Sequence, residues 1–102
     1  MSETLEFDDL DLLDGNDLKA VFDQMSLDEV ATALWGTPIG LRGRLLRKLN
    51  PQDSHKINQR ITKIEHVTFG QVHDAQQQAI EIMCQLSRTG QIAFDAPEDM
   101  VA

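Results

Sequence analysis

Leu18, Val21, Phe22 and Met25 recur at intervals of three and four, and Asn16 stands where a capping side chain belongs, so residues 16–25 are expected to form an amphipathic helix. Ser26-Leu27-Asp28-Glu29 then reads as a capping box, in which the serine hydroxyl and the glutamate carboxylate each satisfy a free backbone N–H. The helix it opens carries Leu27, Val30, Ala31 and Leu34 as its apolar stripe and stops near Trp35, because Gly36 and Pro38 follow. Leu41, Leu45, Leu46 and Leu49 trace a third stripe, weakened in its first turn by Gly40 and Gly43. Asn50-Pro51 interrupts it. Asn50 can cap and proline suits the first helical position, so a fourth helix is expected over 51–64, burying Ile57, Ile61 and Ile64. On its other side Asp53, Lys56, Arg60 and Lys63 follow at three, four and three, which lines them up as one rail.

Thr68-Phe69-Gly70-Gln71 is a second capping box, and Val72, Ala75, Ala79, Met83 and Leu86 keep helical spacing behind it until Thr89-Gly90. Residues 91–94 are a short apolar stretch expected to pack back on the bundle, and 95–102 an acidic flexible tail. No alternating pattern of the kind strands need, and no internal repeat, occurs. The pattern therefore predicts an all-α fold, a compact bundle of five to six short helices, with residues 1–94 as a single domain.

Composition is consistent with one folded unit: 41 % of the 102 residues are hydrophobic and 25 % charged, too apolar for a wholly disordered chain. Cys84, the single cysteine, has no internal disulfide partner, and Met1 to Leu10 lacks the pattern of a cleaved leader, so a cytoplasmic protein is expected. No apolar run approaches the roughly 18–20 residues needed to cross a bilayer.

Charge changes the picture more. The net charge of −8 is uneven: residues 1–41 sum to −9, residues 64–102 to −5, and residues 42–63 to +6. Arg42, Arg44, Arg47, Lys48, Lys56, Arg60 and Lys63 form this basic island. One reading is a docking surface for an acidic partner, and the other is a solvated face balanced by the acidic ends once the chain folds. Nucleic acid is not the expected partner, since the island is flanked by acidic segments and contains no aromatic residue for base stacking.

Catalytic chemistry does not assemble. His55, His66 and His73 lack the i, i+4 spacing of a helical zinc pair, and a second cysteine for a thiolate site is missing. Asp8, Asp9, Asp11, Asp14 and Asp17 suggest a calcium loop, but setting Gly15 at its sixth position puts Leu10 and Leu12 where oxygen ligands belong. These acids are expected instead on the solvent side of a short N-terminal helix. Cys84, mid-helix beside Met83, reads as a small buried hydrophobe. No enzyme, cofactor or metal is expected.

With the segments in order, the sequence resembles the C-terminal domain of the bacterial flagellar motor switch protein FliG. Leu5-Glu6-Phe7-Asp8-Asp9-Leu10 looks like that family's MFxF hinge running into its first helix, with Leu5 and Phe7 keeping half of the motif. Leu13-Asp14-Gly15-Asn16-Asp17-Leu18 falls at a similar Leu-Asp turn, and Ala33-Leu34-Trp35-Gly36 is similar to its ALKG. His66-Val67-Thr68-Phe69-Gly70-Gln71-Val72-His73-Asp74-Ala75-Gln76 resembles GPVRLSDVEEAQ, and Leu86-Ser87-Arg88-Thr89-Gly90-Gln91-Ile92 the LxxxGEI close.

The resemblance implies a non-catalytic protein–protein interaction domain, in which charges on the helix over 51–64 engage the cytoplasmic loop of the membrane stator. The family's charged positions fall on Trp35, Gln52, Gln59, Arg60 and Thr68, so an alternating-sign ridge has become a basic one. Two functions are open: a divergent rotor or switch component docking on an acidic stator loop or switch protein, at the cytoplasmic face of the inner membrane through its partners; or a non-motility adaptor that kept the fold and lost the stator-contact charges. Trp35 is open in the same way, either covering the core at its helix end or standing exposed as an anchor for a partner pocket.

Overall fold

Side-chain caps set where most of the helices begin. The computed structural model describes residues 5–93; Phe94 and the expected tail 95–102 lie outside the described residues. A 3₁₀ helix spans Phe7–Leu12 and is followed by five α-helices: α1 Gly15–Asp23, α2 Leu27–Trp35, α3 Ile39–Lys48, α4 Pro51–Thr62 and α5 Phe69–Arg88. The described residues form six helices and no strand, which is the expected all-α bundle.

Ser26 accepts from the Glu29 amide while the Glu29 carboxylate takes the Ser26 amide, at 3.1 and 2.9 Å. Thr68 and Gln71 repeat the arrangement at the start of α5. At α4, Asn50 Oδ1 accepts from Asp53 N at 2.8 Å, and Pro51 occupies the first turn, where its missing N–H costs nothing. The cap of α1 differs from the expectation. Asp14, not Asn16, accepts from Asp17 N at 2.8 Å, so the helix starts at Gly15 and ends at Asp23 rather than Met25. Asp14 has the same three-residue reach as a capping serine, and a carboxylate suits the positive end of a helix better than a carboxamide. α4 also stops two residues early, at Thr62, and leaves Ile64 half-buried in the link to α5.

At the centre, α2 packs on α4 and α5, while the 3₁₀ helix lies against α5 and α3. The core is one cluster in which Leu10, Leu18, Val21, Leu34, Leu45 and Met83 are fully enclosed. Leu5 and Phe7, the remnant of the hinge motif, are buried in that core. Leu27 is not: as the first residue of α2 it is 44 % exposed, because the stripe turns inward only from Val30. Beyond α5, Gly90 takes φ +74° and reverses the chain, Ile92 is buried, and Ala93 N donates to the Asp17 carboxylate at 3.1 Å.

Two glycines set how closely the helices approach. A Cβ on Gly15 would be driven into the carbonyl oxygen of Lys48, at the end of α3. A Cβ on Gly36 would meet both methyls of Val72, in the first turns of α5.

Candidate protein-binding surface

The seven bases of the central segment divide into two groups. Arg42 turns back along α3: its Nε donates to the Leu34 carbonyl at 3.0 Å, which also accepts from Thr37 N, and its Nη2 donates to the Trp35 carbonyl at 3.1 Å, so one guanidinium covers the end of α2. Arg44 Nε donates to the Asp11 carboxylate at 2.9 Å. Lys48 Nζ lies 3.3 Å from the same carboxylate, donates to the Leu13 carbonyl at 2.8 Å, and also reaches the Asp11 carbonyl. Arg60 crosses from α4 to α2, where its Nε meets the Asp28 carboxylate. These four tie the bundle together. Arg47, Lys56 and Lys63 have no hydrogen-bond or ion-pair partner among the described residues.

The expected rail is therefore interrupted. Asp53 takes Lys19 of α1 at 3.3 Å, and Arg60 takes Asp28, so both lean toward the neighbouring helices. Along one exposed line of α4 and its C-cap stand Gln52, Lys56, Gln59 and Lys63, at steps of four, three and four, with His55, Asn58 and Thr62 exposed beside them. Two of these, Gln52 and Gln59, are among the five positions that the sequence resemblance was expected to align with charged ones. Of the other three such positions, Arg60 is held by Asp28, the Thr68 hydroxyl is used in the α5 cap, and Trp35 is 42 % exposed at the end of α2. Trp35 thus neither seals the core nor stands fully free.

Beside the α4 face, a cleft of about 580 Å³ opens between α2, the 63–67 link and α5. Its walls are of mixed sign: Asp28, Glu29, Glu65 and Asp74 against Arg60 and Lys63. Such a surface suits a charged polypeptide segment better than a small apolar ligand.

The N-terminal acids were expected on the solvent side, and Asp11 corrects that. It is half-buried between Arg44 and Lys48, because the 3₁₀ helix lies across α3. The hydrogen bond from Arg44, reinforced by Lys48 and opposed by partial burial, lowers its pKa below the ordinary 3.8. Since the folded value is the lower one, this pairing contributes its full stability above about pH 3.8 and loses it as the pH falls through the folded value. Asp11→Asn is expected to flatten the acid limb of thermal stability, followed by circular dichroism from about pH 6 down to about pH 2. Identical acid limbs in the two proteins would refute the assignment.

Among the described residues, no group of His, Cys, Asp and Glu is placed to hold a metal ion, and no helix is long and apolar enough to cross a membrane. Cys84 is buried in α5, and desolvation pushes its thiol pKa above 9.0, as suits a packing residue.

The inward ion pairs were not readable along the chain, because Asp11 and Asp28 stand 33 and 32 residues from Arg44 and Arg60. The acidity of the flanking segments was the only signal of them.

Comparison with curated proteins finds no match. A family model described as the FliG C-terminal domain matches residues 1–94, which spans the six helices of the described residues. On that match and the all-helical fold, the chain belongs to the FliG C-terminal domain family.

Proposed function

We propose that this protein is a non-catalytic protein–protein interaction domain of the bacterial flagellar rotor, a divergent switch component that docks electrostatically on an acidic protein partner. The observation that carries the reading is that Lys56, exposed on α4, and Lys63, exposed at its C-cap, have no partner among the described residues while four other bases of the segment do. Arg47, in the last turn of α3, extends the positive surface. The stator cytoplasmic loop or another switch protein is the partner class, and the site of action is cytoplasmic, at the inner membrane through that partner. The interaction unit is residues 1–94. Arg42, Arg44, Lys48 and Arg60 act in it as the frame that holds α3 and α4 in place.

Exposed charges of this kind govern association rate and salt dependence more than they add affinity. Lys56→Glu with Lys63→Glu is expected to slow association with a stator-loop or switch-protein partner at least tenfold and to flatten its salt dependence, measured by surface plasmon resonance. Indifference to the reversal would sink the proposal.

A second reading has its own support. Read along the sequence resemblance, Trp35, Gln52, Gln59 and Thr68 are uncharged side chains at positions expected to be charged, which fits an adaptor that left the motor. Deletion of the gene separates the two: a swimming defect with intact filaments supports the motor role, and normal motility supports the adaptor.

A further inference from the structure

Lys56 stands at the lip of a cavity that electrostatic docking on α4 does not use. About 200 Å³ in volume, it opens where α1, α2 and α4 meet. Its floor is the core itself, since Phe22, Val30, Leu49 and Ile57 are all buried. Leu27 also lines it, and is the one large apolar residue of the lining that the fold leaves exposed.

Size limits what can enter. Sites for cofactors and drug-sized ligands occupy roughly 300–1,000 Å³. A cavity of about 200 Å³ with an apolar floor suits a single leucine, methionine or phenylalanine side chain, which would cover Leu27 as it seats. Buried anchors of this kind carry a large share of the energy of protein–protein contacts.

Charge says what must stand beside the anchor. Of the three charged residues in the lining, Asp23 and Asp53 are both held by Lys19, whose Nζ lies 3.3 Å from each carboxylate. Lys56 has no partner among the described residues. Leu49 lines a second, shallower groove as well, together with Arg47, and among the described residues no acid lines that groove. The α4 residues of the two belong to different flanks of the helix: Asp53, Lys56 and Ile57 at the cavity, Ser54, His55 and Asn58 at the groove. Leu49 is therefore bracketed by two bases without partners, Lys56 and Arg47. Lys63 differs, because the cleft it lines also carries Asp28, Glu29, Glu65 and Asp74.

We propose that a polypeptide segment of the α4 partner seats one large apolar side chain in the cavity and sets carboxylates on Lys56 and Arg47 to either side of it. This rests on the docking role assigned to α4, and adds to it an apolar anchor and an order among the three free bases.

A phage-displayed library of random 12-residue peptides, selected on the full chain, tests it. Enriched peptides are expected to share one Leu, Met or Phe with Asp or Glu on both sides. In the tightest of them, alanine in place of that apolar residue is expected to weaken binding about tenfold and leave its salt dependence unchanged, measured by surface plasmon resonance. Leu27→Ser is expected to weaken binding about threefold, with circular dichroism and melting temperature unchanged because the side chain is exposed. Lys56→Ala with Arg47→Ala is expected to weaken it about tenfold and flatten the salt dependence, whereas Lys63→Ala changes it by less than about twofold.

Failure to enrich any peptide, or enrichment of basic ones, would overturn the proposal. If the base substitutions weaken binding while the anchor alanine and Leu27→Ser do not, the anchor is wrong and electrostatic docking on α4 stands. Equal losses at Lys56 and Lys63 would refute the order among the bases, and indifference to all three would count against both the anchor and the docking role. Binding that appears only after residues 95–102 are removed would overturn the proposal in favour of the chain's own acidic tail. Self-association abolished by Leu27→Ser would do so in favour of a second copy.

Discussion

Gly15→Ala is expected to destabilise the protein by about 2–3 kcal/mol, which lowers the melting temperature by roughly 10–20 °C in a domain of this size. Helix propensity alone predicts the opposite sign, since alanine is favoured over glycine in a helix by up to about 1 kcal/mol. Packing decides. The new methyl would be driven into the Lys48 carbonyl, and a backbone oxygen at the end of α3 cannot swing aside as a side chain would. Relief requires α1 to move off α3, and that movement strains the neighbouring contacts of Lys48 with Asp11 and Leu13. Gly36→Ala provides the comparison, because there the obstruction is the Val72 side chain and Val72→Ala removes it. The pair Gly36→Ala/Val72→Ala is therefore expected to recover stability lost in the single glycine variant, whereas no single side-chain truncation rescues Gly15→Ala. Thermal melts of the four proteins read this directly, and a neutral or stabilising Gly15→Ala would show that the α1–α3 approach is not close.

Leu34→Ala is expected to cost about 3–4 kcal/mol, the range for emptying a fully enclosed leucine site. Leu34 has no exposed surface, and its helix is held between α4 and α5, so the cavity cannot fill by a surface shift. Denaturant titration should show the midpoint falling with the slope unchanged. Phe69→Ser makes the informative contrast. It removes a larger hydrophobe but one that is 96 % exposed, and it is expected to leave the midpoint where it was. Equal losses at the two positions would contradict the described packing.

How far the fold could be read from residues alone depended on the range of the interaction concerned. The boundaries at Ser26, Asn50 and Thr68 are set within three residues, by caps that a linear pattern displays completely. The error at Asp14 was also local, a choice between two capping side chains two positions apart, and the carboxylate prevailed. Leu27 was assigned inward by periodicity, yet at the first position of α2 there is no preceding turn to share its burial. The site was less legible. Clustering in sequence could show that seven bases lie close together, but not which would be occupied, because their acidic partners come from distant segments. The exposure of Ile39 and Phe69 left no mark at all, since an apolar residue at a helix start reads as core until its surroundings are known.

The division of the basic segment also bears on which substitutions this lineage can accept. Arg42, Arg44, Lys48 and Arg60 each close a contact between separate parts of the chain, so replacing one alters cohesion before it alters recognition. Arg47, Lys56 and Lys63 carry no such obligation within the described residues. In a deep mutational scan selected only for soluble expression, the first four positions should be depleted of most replacements and the last three nearly indifferent. Diversification of partner preference then has three positions at which it can proceed without first compensating for lost structure.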